Sequence, residues 1–146
     1  MNQWVMVGKA VEVATEAHKG QIDKSGMPYI LHPLRVMMTL TDPYLMAIAV
    51  LHDVVEDTNV SLDRLKRMDF PKRVLEGVGA MTHGKNETND EYYTRLKRNP
   101  DALVVKLKDI FDNMSTNRMM QLSEMDRVKL ATKYGHALEI LYGRKK

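Results

Sequence analysis

The chain is predicted to fold as an all-α, single-domain helical bundle, and three observations predict it. Apolar residues recur at helical spacing almost throughout, and strand-like alternation is scarce. Helix-start signals stand in front of the periodic stretches, at Thr41-Asp42-Pro43, Ser61, Asn99-Pro100 and Ser123. The 146 residues contain no internal repeat, low-complexity segment or linker, so 1–146 reads as one domain, long enough to bury a core.

Residues 3–18 read as the first helix, with Val5, Val7, Ala10, Val11, Ala14 and Ala17 facing inward. The stretch GQIDKSGMPYILHP is broken by Gly20, Gly26, Pro28 and Pro33 and reads as a loop. A short helix is predicted from Pro33 to about Leu40, with proline at its first position. Asp42 before Pro43 opens the next helix, YLMAIAVLHDVVED, taken as continuous to Asp57. It is apolar on nearly every side before its acidic end, which marks it as central. Ser61 caps LDRLKRM, and Pro71 begins a fifth helix running to about Thr82. Residues 83–89 are polar and loop-like, followed by a helix around EYYTRLKRN. Asn99-Pro100-Asp101 restarts the chain as DALVVKLKDIFDNM, apolar at Leu103, Val104, Leu107, Ile110 and Phe111. Ser123 caps the last helix, roughly 123–142.

The composition, 44% hydrophobic and 28% charged, is that of a soluble globular protein. No apolar run approaches the roughly 18 residues that span a bilayer, so no membrane partner is expected. The N-terminus lacks the basic leader and apolar stretch of a secretory signal. Cysteine is absent, which excludes disulfides and thiolate zinc sites and fits a cytoplasmic location. The net charge of +3 comes largely from Arg144-Lys145-Lys146, and no basic stripe or recognised motif points to nucleic acid. The twelve methionines read as core filling.

The residues that carry chemistry are His32, the pair His52-Asp53, and Asp109. Two imidazoles and two carboxylates suit a divalent first-row cation such as Mn, Fe or Zn. Singly, each is more often a hydrogen-bonded core or capping residue. Together they explain more, because Asp53 and Asp109 lie in apolar helices where an unpaired carboxylate is expensive, and a shared cation relieves that. If 42–57 is one helix, Glu56 sits four residues after His52 and Asp57 four after Asp53, each pair on one face. Asp109 and Asn113 share a face in the same way. A metal-binding pair beside an acid/base pair is the pattern of a metal-dependent hydrolase. His18 follows an apolar helix and organises the next loop, while His83 and His136 read as surface or packing residues.

The blocks AHKGQIDKSGMPYILHPLRV, AIAVLHDVVEDT and VVKLKDIFDNMST, in that order, resemble the HD-domain hydrolases of the RelA/SpoT type. In particular they resemble the stand-alone small alarmone hydrolases, without a synthetase domain. The resemblance spans roughly residues 5 to 142. It implies an α-helical fold, one divalent metal, usually Mn, and a small-molecule nucleotide partner. The implied reaction is hydrolysis of the 3′-pyrophosphate of guanosine tetra- and pentaphosphate. By motif match, His32, His52, Asp53 and Asp109 hold the metal, and Glu56-Asp57 activates water. Lys24 and Ser25 contact the base and sugar side, and Asn113 and Thr116 contact the nucleotide. Lys85 and Arg95, near a polar loop, are further candidates to neutralise phosphate.

Two positions depart from the family pattern. Its Arg-Lys-Ser-Gly loop reads Asp23-Lys24-Ser25-Gly26 here, and KLADRLHN reads KLKDIFDN, adding Lys108 and Asp112 near the site. A carboxylate facing an anionic ligand at ~6 Å and effective dielectric ~20 is unfavourable by about 3 kcal/mol. Asp23 facing the pocket therefore favours another nucleotide, such as a monophosphate or an NADPH-like dinucleotide; Asp23 facing solvent leaves the alarmone in place. A non-catalytic nucleotide-binding module is the alternative from another class, and the intact ligand set argues against it.

Overall fold

A computed structural model describes residues 1–143, the Thr116 side chain excepted. The basic tail, 144–146, lies outside the described residues. The chain is all-helical: α1 (Gln3–Ala17), α2 (Leu31–Met38), α3 (Pro43–Leu51), α4 (Val54–Asp57), α5 (Leu62–Arg67), α6 (Lys72–Met81), α7 (Asn89–Leu96), α8 (Pro100–Asn113), α9 (Thr116–Met120) and α10 (Glu124–Tyr142). Side-chain oxygens cap several of these helices at their first turn. Asn2 accepts from Trp4 N at 2.8 Å, Asp42 from Tyr44 N at 2.8 Å, and Asn99 from Ala102 N at 2.9 Å. Thr88 and Glu91 form a reciprocal capping box on α7.

The core is built around α3. Ala47, Ile48, Ala49, Val50 and Leu51 are all fully buried, and α1, α2, α6 and α8 pack against this helix. A helix apolar on every side is stable only when its neighbours cover every side. Helix α6 meets α3 at Gly77, where an added Cβ would stand 2.4 Å from Ile48 Cδ1. Among the described residues, no helix is long and apolar enough to cross a membrane.

Four local details differ from the sequence expectation. The segment from Asp42 to Asp57 is not one helix: α3 ends at Leu51, His52 and Asp53 form a turn, and α4 follows. The Ala49 carbonyl, which would accept the next helical bond, is taken by the His52 ring Nδ1 at 2.5 Å and the His52 backbone N–H at 3.4 Å. Helix α2 begins at Leu31 rather than Pro33, so His32 stands inside it. The buried face of α1 is Met6, Val7, Ala10 and Ala14, with Val5 exposed. Finally, α9 forms where no helix was predicted.

The loop between α1 and α2 doubles back on itself. Ile22 and Pro28 form an isolated antiparallel bridge, and Gly26 turns the chain at φ 84°, a conformation that favours glycine.

Candidate metal centre and adjoining cavities

Three helices bring the candidate ligands together: α2 supplies His32, the end of α3 supplies His52, and α8 supplies Asp109. These residues are only 2%, 1% and 4% exposed, and one donor atom from each lies within 4.8 Å of the others. His32 Nε2 is 2.7 Å, and His52 Nε2 3.2 Å, from Asp109 Oδ1. Asp53 joins at the edge, its Oδ2 2.9 Å from His52 Nε2, and the Tyr29 hydroxyl donates to the same oxygen.

The hydrogen bonds around the rings define the chemistry of this cluster. The Ala49 carbonyl can only accept, so His52 Nδ1 carries a hydrogen, and in its neutral form the ring would turn an Nε2 lone pair toward Asp53 and Asp109. That buried Nε2 has no hydrogen-bond partner among the described residues. His32 repeats the pattern, with Nδ1 2.6 Å from Asp112 Oδ2 and Nε2 facing Asp109. Lone pairs and carboxylates aimed at one another in a buried space require positive charge between them. Burial disfavours an imidazolium, yet the Asp53 and Asp109 carboxylates outweigh it and push the His52 pKa well above its usual value. A divalent cation meets the same demand, and the mixed imidazole–carboxylate donor set fits one.

Asp109 also carries a permanent counter-charge. Burial opposes its ionisation, but Lys106 and His52 together hold its pKa well below the usual carboxylate range. Lys106 Nζ lies 2.9 Å from Asp109 Oδ2 and 5.6 Å from the centre of the Tyr92 ring. Asn113 Nδ2 donates to Asp109 Oδ1 at 3.3 Å and to the Tyr134 hydroxyl at 3.0 Å.

Two cavities adjoin the cluster. A polar one of about 180 Å³ is walled by His32, Asp53, Glu56, Asp109, Lys106 and Lys133. A second, of about 220 Å³, lies between the α1–α2 loop (Asp23, Lys24, Ser25) and Arg118, Leu122 and Leu130. Tyr29, Asn113 and Tyr134 wall both cavities, so the two are neighbours across these side chains. The Tyr134 hydroxyl stays protonated, its pKa pushed up to about 12 first by burial and then by Asp109.

Glu56 and Asp57 are not equivalent. Glu56 walls the polar cavity, and its Oε2 accepts from the His83 backbone N–H at 3.2 Å. Asp57 is not part of that wall; burial, then repulsion from Asp53 and Glu56, raises its pKa. The turn at His52-Asp53 removes the simple stacking that a continuous helix would have imposed.

Asp23 stands on the wall of the apolar-sided cavity, with one carboxylate oxygen held by its own loop. Its Oδ1 accepts from Ser25 Oγ at 2.6 Å, Ser25 N at 2.9 Å and Met27 N at 3.0 Å. Partial burial opposes ionisation, but these bonds and the charge of Arg118 lower the carboxyl pKa. Lys24 and Ser25 stand on the wall of the apolar-sided cavity, as does Asn113. The Thr116 side chain lies outside the described residues. Arg95 does not face the site: its guanidinium binds Glu87 at 2.6 Å and the Thr82 carbonyl at 2.8 Å. Lys85 is exposed and outside both cavity walls.

Residue order alone missed Tyr29, Lys106, Arg118, Lys133 and Tyr134. Lys106 had a readable signal, because it precedes Asp109 by three residues on one helix face. Lys133 and Tyr134 come from α10, and no spacing within the sequence ties that helix to α2 or α3.

No family model matches the chain. Its sequence is 34% identical over 133 residues to a GTP pyrophosphokinase of Streptomyces coelicolor, covering 83% of this chain and 16% of that protein. It is 34% identical over 137 residues to the guanosine-3′,5′-bis(diphosphate) 3′-pyrophosphohydrolase of Aquifex aeolicus, covering 86% of this chain and 19% of that one. The protein of that same name from Borreliella burgdorferi is 31% identical over 135 residues, covering 82% and 20%. The chain thus spans at most 20% of the length of these curated relatives. In three dimensions it is similar to a metazoan ortholog of SpoT that hydrolyses ppGpp. The TM-score is 0.76 at 24% identity, over 94% of this chain and 86% of that one.

Proposed function

We propose that the chain belongs to the HD-type, RelA/SpoT hydrolase-like domains and that it removes the 3′-pyrophosphate from guanosine tetra- and pentaphosphate. The observation that carries this reading is the meeting of His32, His52 and Asp109 in the wall of a polar cavity, beside a second cavity with apolar sides. The names of the Aquifex and Borreliella relatives and the activity of the metazoan structure agree with it.

His32, His52 and Asp109, with Asp53 at the edge, hold one divalent cation, for which manganese is our choice. When bound, that cation polarises a phosphoryl oxygen and makes water more acidic. Lys106 and Lys133 bring positive charge to the polar cavity, where the pyrophosphate lies. Lys24, Ser25, Leu122 and Leu130 receive the nucleoside, and Asn113 holds the ribose at the boundary. Thr116 belongs to this binding set by position in the motif. Glu56, anchored by the His83 N–H, orients the attacking water and takes its proton. Asp57 assists through its charge beside Glu56. The water oxygen bonds to phosphorus, the bond from phosphorus to the ribose 3′ oxygen breaks, and that oxygen leaves with a proton. The products are GDP or GTP and pyrophosphate. The partner in this reading is a free nucleotide rather than nucleic acid or membrane, and the site of action is the cytoplasm.

Asp23 stands on the wall of the cavity given to the nucleoside and outside the wall of the polar cavity given to the pyrophosphate. Its Oδ1 is held by its own loop, and it organises the segment that presents Lys24 and Ser25. The test is Mn-loaded protein incubated with guanosine tetraphosphate, the products separated by anion exchange, with Asp109→Ala alongside. GDP and pyrophosphate from the wild type and none from the variant are expected. A metal-loaded wild type without turnover would sink the substrate, and a fully active variant would sink the metal centre.

A further inference from the structure

Asp112 stands one turn beyond Asp109 on α8, and the two carboxylates bracket the ring of His32. Asp109 Oδ1 is 2.7 Å from Nε2, and Asp112 Oδ2 is 2.6 Å from Nδ1. One helix therefore grips both nitrogens of an imidazole carried by another. Asp112 is itself clamped. Its Oδ1 accepts from Arg35 Nε at 2.9 Å, while Oδ2 accepts from Arg35 Nη2 and Arg118 Nη1, each at 3.2 Å.

We infer that Asp112 is a positioning residue: it holds the Nδ1 hydrogen of His32, fixes the ring orientation, and keeps Nε2 available as a metal ligand. This rests on the metal-centre reading above. The physical argument is general. A ligating imidazole is oriented by an acceptor on its other nitrogen, and a carboxylate there makes the ligating nitrogen more basic.

The alternative is that Asp112 merely pairs with two surface arginines. The geometry separates the two roles. The His32 bond is the shortest that Asp112 makes, and the acid is only 14% exposed at its side chain while Arg35 is 43% exposed. A pair serving surface charge alone has no reason to reach a buried imidazole. The arginines instead occupy the remaining acceptor positions of the carboxylate, which restricts its motion. Arg118 also walls the apolar-sided cavity, so the clamp on Asp112 borders the proposed nucleoside pocket.

The experiment compares wild type, Asp112→Asn and Asp112→Ala for Mn²⁺ affinity by calorimetry, with no substrate present. In parallel, the His32 Nδ1–H resonance is followed in Zn²⁺-loaded, ¹⁵N-labelled protein. The alanine variant is expected to bind Mn²⁺ about 10- to 100-fold more weakly and to lose the slowly exchanging Nδ1–H signal. The asparagine variant keeps an acceptor without the charge and falls between the two. Wild-type affinity in both variants, with the resonance unmoved, would overturn the assignment while leaving the metal centre standing. A wild type that takes up no Mn²⁺ would overturn both together. Circular dichroism checks that each variant is folded, and the asparagine variant carries the comparison if the alanine variant is not.

Discussion

Lys106 and Asp109 lie one turn apart on α8, with the ammonium 2.9 Å from Oδ2 and both side chains largely out of water. The lysine is a built-in cation, present whether or not a metal is bound. Removing one partner of a buried ion pair typically costs about 3–5 kcal/mol, because the other charge is left without compensation. Lys106→Met is expected to lower the metal-free stability by about that amount in urea unfolding. Saturating Mn²⁺ should restore part of the loss, about 2.7 kcal/mol at a hundredfold excess over Kd. Unchanged stability without metal would mean that the pair is energetically idle.

Glu56 and Asp57 should separate in kinetics. Glu56→Gln keeps the shape of the polar cavity but cannot accept the proton from water. A fall in kcat of about 100-fold or more is expected, with Mn²⁺ affinity unchanged. Asp57→Asn, outside the cavity wall, should have the smaller effect. Equal losses from both would show that the acids act as one unit.

Arg95 works on the loop before α7 rather than on substrate. It ties Glu87 and the Thr82 carbonyl together, and the next residue, His83, donates to Glu56. Arg95→Ala should reduce stability by about 1–3 kcal/mol, as lost hydrogen bonds to a charged group do. Faster amide exchange at His83 and Gly84 and a lower kcat should accompany it. Exchange unchanged at His83 would disconnect this loop from Glu56.

The Asp23 carboxyl has a lowered folded-state pKa, because its bonds to Ser25 and Met27 favour the ionised form despite partial burial. Its contribution is therefore complete above the unfolded value of 3.8 and is lost as pH falls through the folded value. The Ser25 and Met27 amide resonances should shift together below that point. Asp23→Asn should keep the loop, since an amide oxygen still accepts. Asp23→Arg should loosen it and weaken nucleotide binding, even though it adds positive charge. Tighter binding by the arginine variant would show that charge outweighs loop order.

Gly77 allows α6 to meet α3. A methyl group there would stand 2.4 Å from Ile48 Cδ1 and 2.8 Å from Ile48 Cγ1. Gly77→Ala is expected to be destabilising by about 1–3 kcal/mol, read as a lower melting temperature. A truncation of Ile48 to Val in the same chain should recover part of the loss.

The helices were legible wherever a cap preceded an apolar period, as at Asp42-Pro43 and Asn99-Pro100, because both signals are local. The break between Leu51 and Val54 was not. It depends on the His52 ring competing for the Ala49 carbonyl, and apolar periodicity does not register a side chain bonding its own helix. Helix α9 escaped for a related reason: five residues are too few to show a period.

Within the site, His32, His52, Asp53 and Asp109 could be nominated because acids and imidazoles in apolar surroundings demand an explanation. The orientation of Asp23 could not be read, since its loop is closed by bonds between residues whose types fit many turns.

From the order of its residues alone, this chain is committed to an all-helical fold, a buried α3 and a set of metal-type ligands. Those properties depend on local periodicity and on the cost of burying charge, which hold for any packing. Only the packing of α2 and α10 on α8 put Asp112 behind His32 and Lys133 beside the cavity, and only the turn before α4 put Glu56 rather than Asp57 on its wall. Such meetings join positions far apart in the chain, and their distances arise from helix packing rather than from spacing along it.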